Sequence, residues 1–233
     1  MKQIITIIST LFLLSSIDTF AAEGELAAEK KRFAIGAIAG TSGIGISATF
    51  KINDYINMRA LHGQLDISES FEEDDINYDG DFEVKMSGVM LDFYPFKGTF
   101  RLSAGYFKNG NDLTAVAEPG ANGTVEIDDF EYDITGESLG AAVSWDGSAP
   151  YLGLGWGNAF GEGSNWTVTF DLGVLFSGAP YATLSASDGL FTQALNAGRD
   201  LNDDIAAEEA SLNDDLNDYD IYPVVQLGLS YTF

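Results

Sequence analysis

The chain has 233 residues, with 36 acidic and 11 basic side chains, a net charge of −25, one histidine and no cysteine. The absence of cysteine excludes a disulfide framework and a lipid-modified cysteine. The acidic balance excludes nucleic-acid binding, because phosphate contacts require clustered Lys and Arg. Beyond the N-terminal segment there is no long apolar run, so any part that crosses a membrane must do so as a closed barrel of strands.

The N-terminal segment is typical of a secretory signal peptide. Lys2 is followed by the apolar stretch IITIISTLFLLSSI and then by small residues at Thr19 and Ala21. This pattern predicts cleavage after Ala21, which gives a signal peptide over 1–21 and a single domain over 22–233. An uncleaved anchor is the alternative, although the apolar run is shorter than the ~20 residues that a spanning helix needs.

Eight segments alternate bulky apolar residues with small or polar ones, which is the pattern of strands with one apolar face. In the clearest segment, WTVTFDLGVLF, Trp166 and Phe176 stand at the two ends of the apolar face. At ~3.3 Å per residue and a tilt near ~40°, their separation is roughly 25 Å along a membrane normal, the height of a lipid-facing band with aromatic girdles. In chain order the predicted strands are 32–40, 44–52, 55–64, 88–93, 100–107, 152–157, 166–176 and 224–233.

The connections between these strands alternate in length. Short turns are predicted around 53–54, 95–98 and 161–163, long loops over roughly 67–82, 110–147 and 179–219, and a short exception at 40–43. Outer-membrane barrels have short periplasmic turns and longer outside loops, and eight strands would place both termini in the periplasm with the last strand closing against the first. The predicted fold class is all-β: an eight-stranded antiparallel up-and-down transmembrane β-barrel with long acidic extracellular loops, one containing a short helix. A soluble β-sandwich or lipocalin-like barrel is the alternative.

Four segments resemble known bacterial proteins: LDFYPFKGTFRLSAGYFKNGN, PYLGLGWGN, WTVTFDLGVLFSGAP and YPVVQLGLSYTF. In architecture the chain resembles small outer-membrane proteins of the OmpA and OmpX type. It is more closely similar to an uncharacterised group of Gram-negative outer-membrane β-barrel proteins. The resemblance implies the outer membrane of a Gram-negative bacterium as the location. It also implies that Tyr231 and Phe233 form a C-terminal signal for the barrel-assembly machinery.

Charged residues fall on the predicted inner face of the strands at five positions: Lys51, Arg59, Asp92, Arg101 and Asp171. If the turn PFKG pairs Tyr94 with Thr99, Asp92 lies directly opposite Arg101. An eight-stranded barrel is just wide enough to be filled by side chains, and unpaired charges there are costly. The sequence therefore predicts a lumen filled by an ion-pair network, with a narrow conduction path as the alternative.

The single histidine, His62, lies toward the outer end of the third predicted strand, on the lipid-facing side. Asp66 and Ser68 are close in sequence, but no spacing marks a catalytic triad. The sequence therefore predicts no enzymatic activity. A lipid-modifying outer-membrane enzyme with a histidine near the outer rim is the alternative.

The acidic stretch EDDINYDGDFE contains candidate metal ligands in Asp75, Asn77 and Asp79, which match the first half of an EF-hand loop. The twelfth position of that loop is Met86 where a bidentate Glu is required, and no flanking helices are predicted. No cofactor is therefore predicted, apart from candidate Ca²⁺ or Mg²⁺ binding on the acidic loops. Such ions could bridge these loops to anionic lipopolysaccharide.

The last long loop predicts an acidic amphipathic helix. Its apolar residues Leu201, Ile205, Leu212 and Leu216 are spaced by four, seven and four, which is a helical stripe. A membrane-surface helix is normally basic, so this helix is expected to cover the barrel mouth; packing on another loop or binding a partner are the alternatives.

Taken with the charge, these patterns predict a monomeric integral outer-membrane protein with a structural or surface-interaction role. Its expected partners are outer-membrane lipid, lipopolysaccharide and the assembly machinery, without nucleic acid. An OmpW-like channel for small or hydrophobic solutes is the first alternative.

Overall fold

The computed structural model describes residues 31–73, 76–117, 123–128, 130–145 and 147–233, with backbone placement alone at 71–73, 76 and 77. The predicted signal peptide lies outside the described residues. The described chain is all-β with a large antiparallel sheet and two helices. No helix among these residues is long and apolar enough to cross a membrane.

The strands are β1 (Phe33–Gly40), β2 (Gly43–Lys51), β3 (Ile56–Glu73), β4 (Ile76–Phe93), β5 (Phe100–Asn109), β6 (Asp112–Ala117), β7 (Thr124–Ile127), β8 (Phe130–Asp133), β9 (Leu139–Ser144), β10 (Gly147–Trp156), β11 (Trp166–Leu175), β12 (Tyr181–Ala186) and β13 (Tyr222–Thr232). The helices are α1 (Asp188–Asn196) and α2 (Leu201–Leu216). β7 and β8 form a separate two-stranded hairpin.

Eight strands follow one another by antiparallel pairing in the order β5-β10-β11-β13-β1-β2-β3-β4. β4 also pairs with β5, from Met86 opposite Asn109 to Phe93 opposite Leu102, so the two ends of the series are bonded to each other. We call these eight strands the strand ring. Its terminal end carries the start of β1 and the end of β13, and its distal end is the opposite one. As the C-terminal alternation predicts, β13 pairs with β1.

A second group of strands continues the ring wall at the distal end. The distal parts of β3 (64–73) and β4 (76–85) form with β6, β9 and β12 an extension sheet, in the order β3-β4-β6-β9-β12. β6 continues the line of β5 along β4, with only Gly110 and Asn111 between them. The buried Asn111 side chain accepts a hydrogen bond from the Lys85 N–H at 3.0 Å, so the wall passes from ring to extension without losing its pairing.

The predicted long loops are therefore largely regular structure. The first is the distal part of the β3–β4 hairpin, the second contains β6 to β9, and the third contains β12 and both helices. The sequence pattern did not reveal these strands, because β6 to β9 and β12 are short and because the apolar residues of the extension sheet stand on the opposite face from those of the ring.

Helix α2 coincides with the predicted apolar stripe. Leu201 is buried, and Ile205, Leu212 and Leu216 are half-buried. Asp200 caps the helix by accepting from the Asn202 N–H at 3.0 Å. The preceding helix α1 is nine residues long and was not predicted; it buries Leu190 and Ala194, which are one turn apart.

Helix α2 covers the free edge of the extension sheet. Asn213 bonds both the N–H and the carbonyl of Ala182 on β12, at 2.8 and 3.1 Å, and Glu209 accepts from the Leu184 N–H at 2.7 Å. An uncovered edge strand would leave these backbone groups unpaired. The helix thus packs on neighbouring connections, which was the second of the predicted placements, rather than on the ring end.

Buried apolar residues form two clusters. The ring cluster lies inside the strand ring and comprises Ile38, Leu61, Met86, Met90, Phe107, Ala149, Tyr151, Leu175 and Val224. The cap cluster lies between the extension sheet, the β7–β8 hairpin and the helices, and comprises Ala117, Ile127, Tyr132, Ile134, Leu190, Ala194 and Leu201. We call the extension sheet, hairpin and helices together the cap.

Candidate functional site

Alternation along four strands of the ring brings four of the predicted charged side chains to its interior. Arg59 lies on β3, Asp92 on β4, Arg101 on β5 and Asp171 on β11, and each is at most 5% exposed. Residues at even spacing share one face of a strand. The sequence pattern therefore placed these side chains on the same side of their strands before their mutual distances were known.

The two guanidiniums and two carboxylates form one contiguous network. Arg59 binds Asp171 with both terminal nitrogens, Nη1 to Oδ2 at 2.9 Å and Nη2 to Oδ1 at 3.0 Å. Its Nη2 also donates to Asp92 Oδ1 at 3.0 Å. Arg101 Nη2 donates to Asp171 Oδ1 at 2.7 Å, and its Nε lies 3.7 Å from Asp92 Oδ1. Each carboxylate thus faces both guanidiniums, and the charges balance.

Neutral groups complete the surroundings of this network. Ser103 donates to Asp92 Oδ1 at 2.5 Å, and Arg101 donates to the carbonyl oxygen of Gly157. The cavity beside the network, lined by Thr49, Tyr94 and Ser230 among others, has a volume of only about 20 Å³, which is room for about one water molecule. This layer of the interior is filled.

The register around the network differs from the predicted one. Asp92 lies directly opposite Ser103, and Arg101 falls two residues nearer the turn than predicted. The connection from β4 to β5 is wider than a four-residue turn, because it includes Tyr94 and Thr99 themselves. A shift of two residues keeps each side chain on its face of the strand. Arg101 therefore still lies close to Asp92, although the residue predicted directly opposite Asp92 was wrong.

Lys51 does not belong to the network. It ends β2 at the terminal end, and its ammonium pairs with Asp54 at 2.9 Å, where both side chains are partly solvent-exposed. Alternation gave its side of the strand correctly but could not give its height along the ring. At this height the Lys51 side chain reaches Asp54 in the turn after β2 and not the buried network.

Toward the distal end, the interior is filled by apolar and aromatic side chains that the sequence did not single out. The Phe107 and Tyr151 rings lie 5.1 Å apart between centroids and are fully buried. Gly88 stands directly opposite Phe107, and a Cβ there would lie 2.5 Å from its ring. A Cβ at Gly173 would lie 2.4 Å from the Tyr151 ring. Inward-facing glycines near inward-facing aromatics on adjacent strands are the signal that could have located this second layer.

The outside of the ring carries the bulky apolar set. Among its exposed members are Ile35, Ile46, Met58, Leu91, Leu152, Val168, Val225 and Leu229. Aromatic rings crowd the terminal end of this surface. Neighbouring centroids are 4.9 Å apart for Phe33 and Phe50, 5.8 Å for Phe100 and Trp156, 6.1 Å for Trp156 and Phe170, and 5.0 Å for Trp166 and Tyr231. Such a belt is typical of a membrane interface.

The apolar side chains change faces along the same strands. On β4, the outward residues are apolar at Val89, Leu91 and Phe93, and polar at Ser87 and onward through 85, 83, 81 and 79. The inward residues of the extension part are instead apolar, namely Tyr78, Phe82 and Val84. The ring therefore presents apolar residues outward. The extension sheet carries them on its inward face, where Tyr78 packs against the cap cluster.

The switch of faces follows a cross-strand row. Side chains on the outward row His62, Ser87, Lys108 and Ser148 are polar, and each is directly opposite the next on β3, β4, β5 and β10. The adjacent row toward the terminal end is Ala60, Val89, Tyr106 and Pro150. Two residues along a strand are about 7 Å, so on these four strands the boundary between apolar and polar surface is sharp. On β2 the apolar surface continues past this row, since Ile46 lies opposite His62.

His62 lies on the outward face, as predicted, at this boundary. Its Nδ1 is 2.8 Å from Ser87 Oγ. The predicted neighbours Asp66 and Ser68 do not bond it; Ser68 donates instead to Asp81 at 2.5 Å.

The candidate metal ligands do not form a site in the described chain. Asp75 lies outside the described residues, and of Asn77 only the backbone is described. Asp79 accepts a hydrogen bond from Ser70 at 2.7 Å. Among the described residues, no three or more His, Asp or Glu side chains are arranged to hold a metal ion.

A second charged cluster holds the cap together. Arg199 binds Asp204 through Nη2 and Nε at 2.7 and 2.8 Å and reaches Asp128 at 3.1 Å, and Tyr132 donates its hydroxyl to Asp204. The Arg199 hydrogen bonds lower the pKa of Asp204 below its ordinary value. Burial, with the carboxylate beside it, raises the pKa of Tyr132 to about 12. This clasp ties the start of α2 to the β7–β8 hairpin.

The fold is similar to two solved structures from Acinetobacter baumannii. CarO2 is 23% identical in sequence, with a TM-score of 0.59, and the match covers 87% of this chain and 99% of that chain. CarO is 20% identical, with a TM-score of 0.57 and coverage of 86% and 97%. At these identities the likeness concerns the fold, and the finer resemblance to OmpA and OmpX stays a prediction. No family model and no curated protein matches the chain.

Proposed function

We propose that the chain is an integral outer-membrane protein whose strand ring is an eight-stranded transmembrane β-barrel with a filled lumen, and that its role is structural or in surface interaction. The observation that carries this proposal is the change of faces at the row through Ser87. A strand that leaves hydrocarbon for water must exchange its apolar side, because each medium exposes a different kind of surface.

The fold likeness supports this placement, since CarO and CarO2 are outer-membrane proteins of a Gram-negative bacterium. The soluble-barrel alternative is disfavoured by packing. It requires the bulky apolar set inside the ring, whereas Ile46 and Val168 are 68% and 69% exposed on its outside.

Closure of the ring can be tested on a gel. The extracted protein is run with and without boiling, and the unboiled sample should migrate at a different position, because a ring of paired strands resists detergent unfolding until it is heated. Identical migration of the two samples would contradict a closed barrel.

A filled lumen is favoured over an OmpW-like channel by the two layers inside the ring. The cavity beside the ion-pair network has a volume of only about 20 Å³, and the buried rings of Phe107 and Tyr151 fill the layer distal to it. In planar bilayers we expect no stepwise conductance from the purified protein. Reproducible unitary currents would favour the channel.

We propose that the protein has no enzymatic turnover. Among the described residues, the His62–Ser87 contact is the arrangement that favours a lipid-modifying enzyme. Against it, both residues sit within paired strands, whose N–H groups are used by the ladders and not free to form an oxyanion hole. His62→Gln should leave the lipid A profile of cells unchanged, and an altered profile would support the enzyme.

We propose that 1–21 is removed on export, and that Tyr231 and Phe233 are read by the barrel-assembly machinery. Support for the second part is that Phe233 is 60% exposed and its ring lies 6.5 Å from that of Tyr231. Phe233→Ser should lower the amount of protein in the outer-membrane fraction, with Phe96→Ser as an exposed aromatic control.

A further inference from the structure

We infer that the outward surface of β3, β4 and β5 at the face change binds a phosphate group of an outer-leaflet glycolipid, through Lys108 and Lys85. This inference rests on the proposed outer-membrane placement. The placement alone requires only that this surface contacts lipid. The inference adds a specific ligand for it.

The surface is a recess lying immediately beyond the apolar band. Its volume is about 460 Å³, and its lining includes His62, Lys85, Ser87 and Lys108. Ser87 stands directly opposite Lys108 on one side and His62 on the other, and the His62 ring is held by Ser87 at 2.8 Å. The recess is therefore lined by the imidazole of His62, the hydroxyl of Ser87 and the ammonium of Lys108 in one cross-strand row, and by the ammonium of Lys85 in the next row.

The distribution of positive charge singles out this recess. Among residues 33–233 of the described chain, Arg59 and Arg101 are buried in the lumen, and Arg199 belongs to the cap clasp. Lys51 and Lys97 lie at the terminal end, in the connections around Asp54 and Tyr55. Lys85 and Lys108 are left as the basic side chains on the outward surface of the distal end, in a chain of net charge −25.

Both ammoniums are available to an anion. Lys108 has no carboxylate within 4 Å among the described residues. Lys85 pairs with Glu83 at 3.3 Å, but both side chains are about half exposed, and exposed pairs of this kind contribute little. Lys85 can therefore leave Glu83 and bind a phosphate, which accepts more hydrogen bonds, because no strong internal contact opposes this change of partner.

The order of rows matches a lipid boundary. The apolar row through Val89 comes first, then the row with Lys108, then Lys85, and then a row of carboxylates in which Asp66, Glu83 and Asp112 lie directly opposite one another. A glycolipid phosphate lies where acyl chains meet sugars, which is the height of the lysines. The carboxylates lie one row farther toward water, and two of them, Glu83 and Asp112, line the outer side of the recess. Trp145 and Tyr181 also line it, as interfacial aromatics do.

The probe is lipid A carrying two phosphates, compared with the same lipid after dephosphorylation. Its binding to the purified full chain in detergent is measured by native mass spectrometry. We expect the wild type to prefer the phosphorylated lipid and Lys85→Gln/Lys108→Gln to bind it about tenfold more weakly. The matched control Lys51→Gln/Lys97→Gln removes the same charge from the other end and should bind as the wild type does.

Each sample is also run on a gel with and without boiling. If the variants fold but the lysine pair makes no difference, or if the phosphates do not matter, the inference is overturned while the barrel stands. If the wild type gives no folded band, the proposed membrane fold itself fails. Equal weakening by both lysine pairs would mean that only net charge acts, which also overturns the inference.

Discussion

At the scale of single residues, the interior of the ring depends on charges that are buried together. Removal of both members of a buried ion pair is often tolerated, whereas removal of one leaves an uncompensated charge. Arg59 touches both Asp92 and Asp171. Loss of its guanidinium therefore leaves more buried negative charge uncompensated than loss of any surface lysine would.

Arg59→Met should lower the free energy of unfolding by about 3–5 kcal/mol, since two buried carboxylates then share Arg101 alone. Urea unfolding of the protein in detergent micelles, followed by tryptophan fluorescence, measures this. Lys51→Met, which breaks an exposed pair at the rim, is the control and should change stability by at most about 0.5 kcal/mol. Equal effects of the two substitutions would contradict the role given to the network.

The glycine-to-aromatic contacts give a second residue-level expectation. Gly173→Ala places a methyl group against the Tyr151 ring, 2.4 Å away before any relaxation, and should destabilise by about 1–3 kcal/mol. In a Tyr151→Ala background the same change should cost little, because the ring is gone. A double-mutant cycle measures the coupling; strictly additive effects would mean that the ring is not in contact with Gly173.

At the scale of elements, the clasp between α2 and the β7–β8 hairpin makes the stability of the cap depend on pH. Asp204 has a lowered pKa, so its contribution is complete above the unfolded value of 3.8 and is lost as the pH falls through its folded value. Tyr132 has a raised pKa, so its contribution is complete below 10 and is lost as the pH rises through about 12. Both contributions are present between these limits.

We therefore expect hydrogen exchange of the hairpin peptides, read by mass spectrometry and corrected for intrinsic rates, to accelerate below about pH 4 and above about pH 10. Peptides of β1 and β13 serve as the internal reference. Tyr132→Phe should keep the acid transition, remove the alkaline one and cost about 1 kcal/mol. Protection that is unchanged at both extremes would show that the clasp does not hold the hairpin.

Whether a helix or strand could be predicted from the sequence depends on where it buries its apolar side. Helix α2 was predicted because Leu201 and Ile205 begin a full helical stripe. Helix α1 was not predicted. It has nine residues, and its N-cap residue Ser187 makes no side-chain cap hydrogen bond but donates to Glu137 at 2.5 Å. The strands β6, β9 and β12 were read as loops because their apolar partners come from the cap rather than from lipid.

At the scale of the whole molecule, the alternation of apolar and polar residues predicted which side each ring residue faces, and the lengths of the connections predicted that consecutive strands are neighbours. The four lumen charges were therefore identified by face. Their heights and partners were not, since the width of the β4–β5 connection sets the register and no pattern in PFKG fixes that width. Lys51 and the register of Asp92 show the consequence. The boundary at Ser87 could not be predicted from the sequence, because it depends on which residues of neighbouring strands lie opposite one another.

The most direct test of this account is whether the outward face of β4 leaves the membrane between Val89 and Ser87. The chain has no cysteine, so single cysteines at 85, 87, 89 and 91 can each carry a nitroxide label in protein reconstituted into bilayers. Collisions with oxygen report hydrocarbon, and collisions with a water-soluble nickel chelate report solvent. We expect 89 and 91 to favour oxygen and 85 and 87 to favour nickel, with a label at 90 shielded from both. All four outward labels favouring nickel would contradict the membrane placement and the proposals that depend on it.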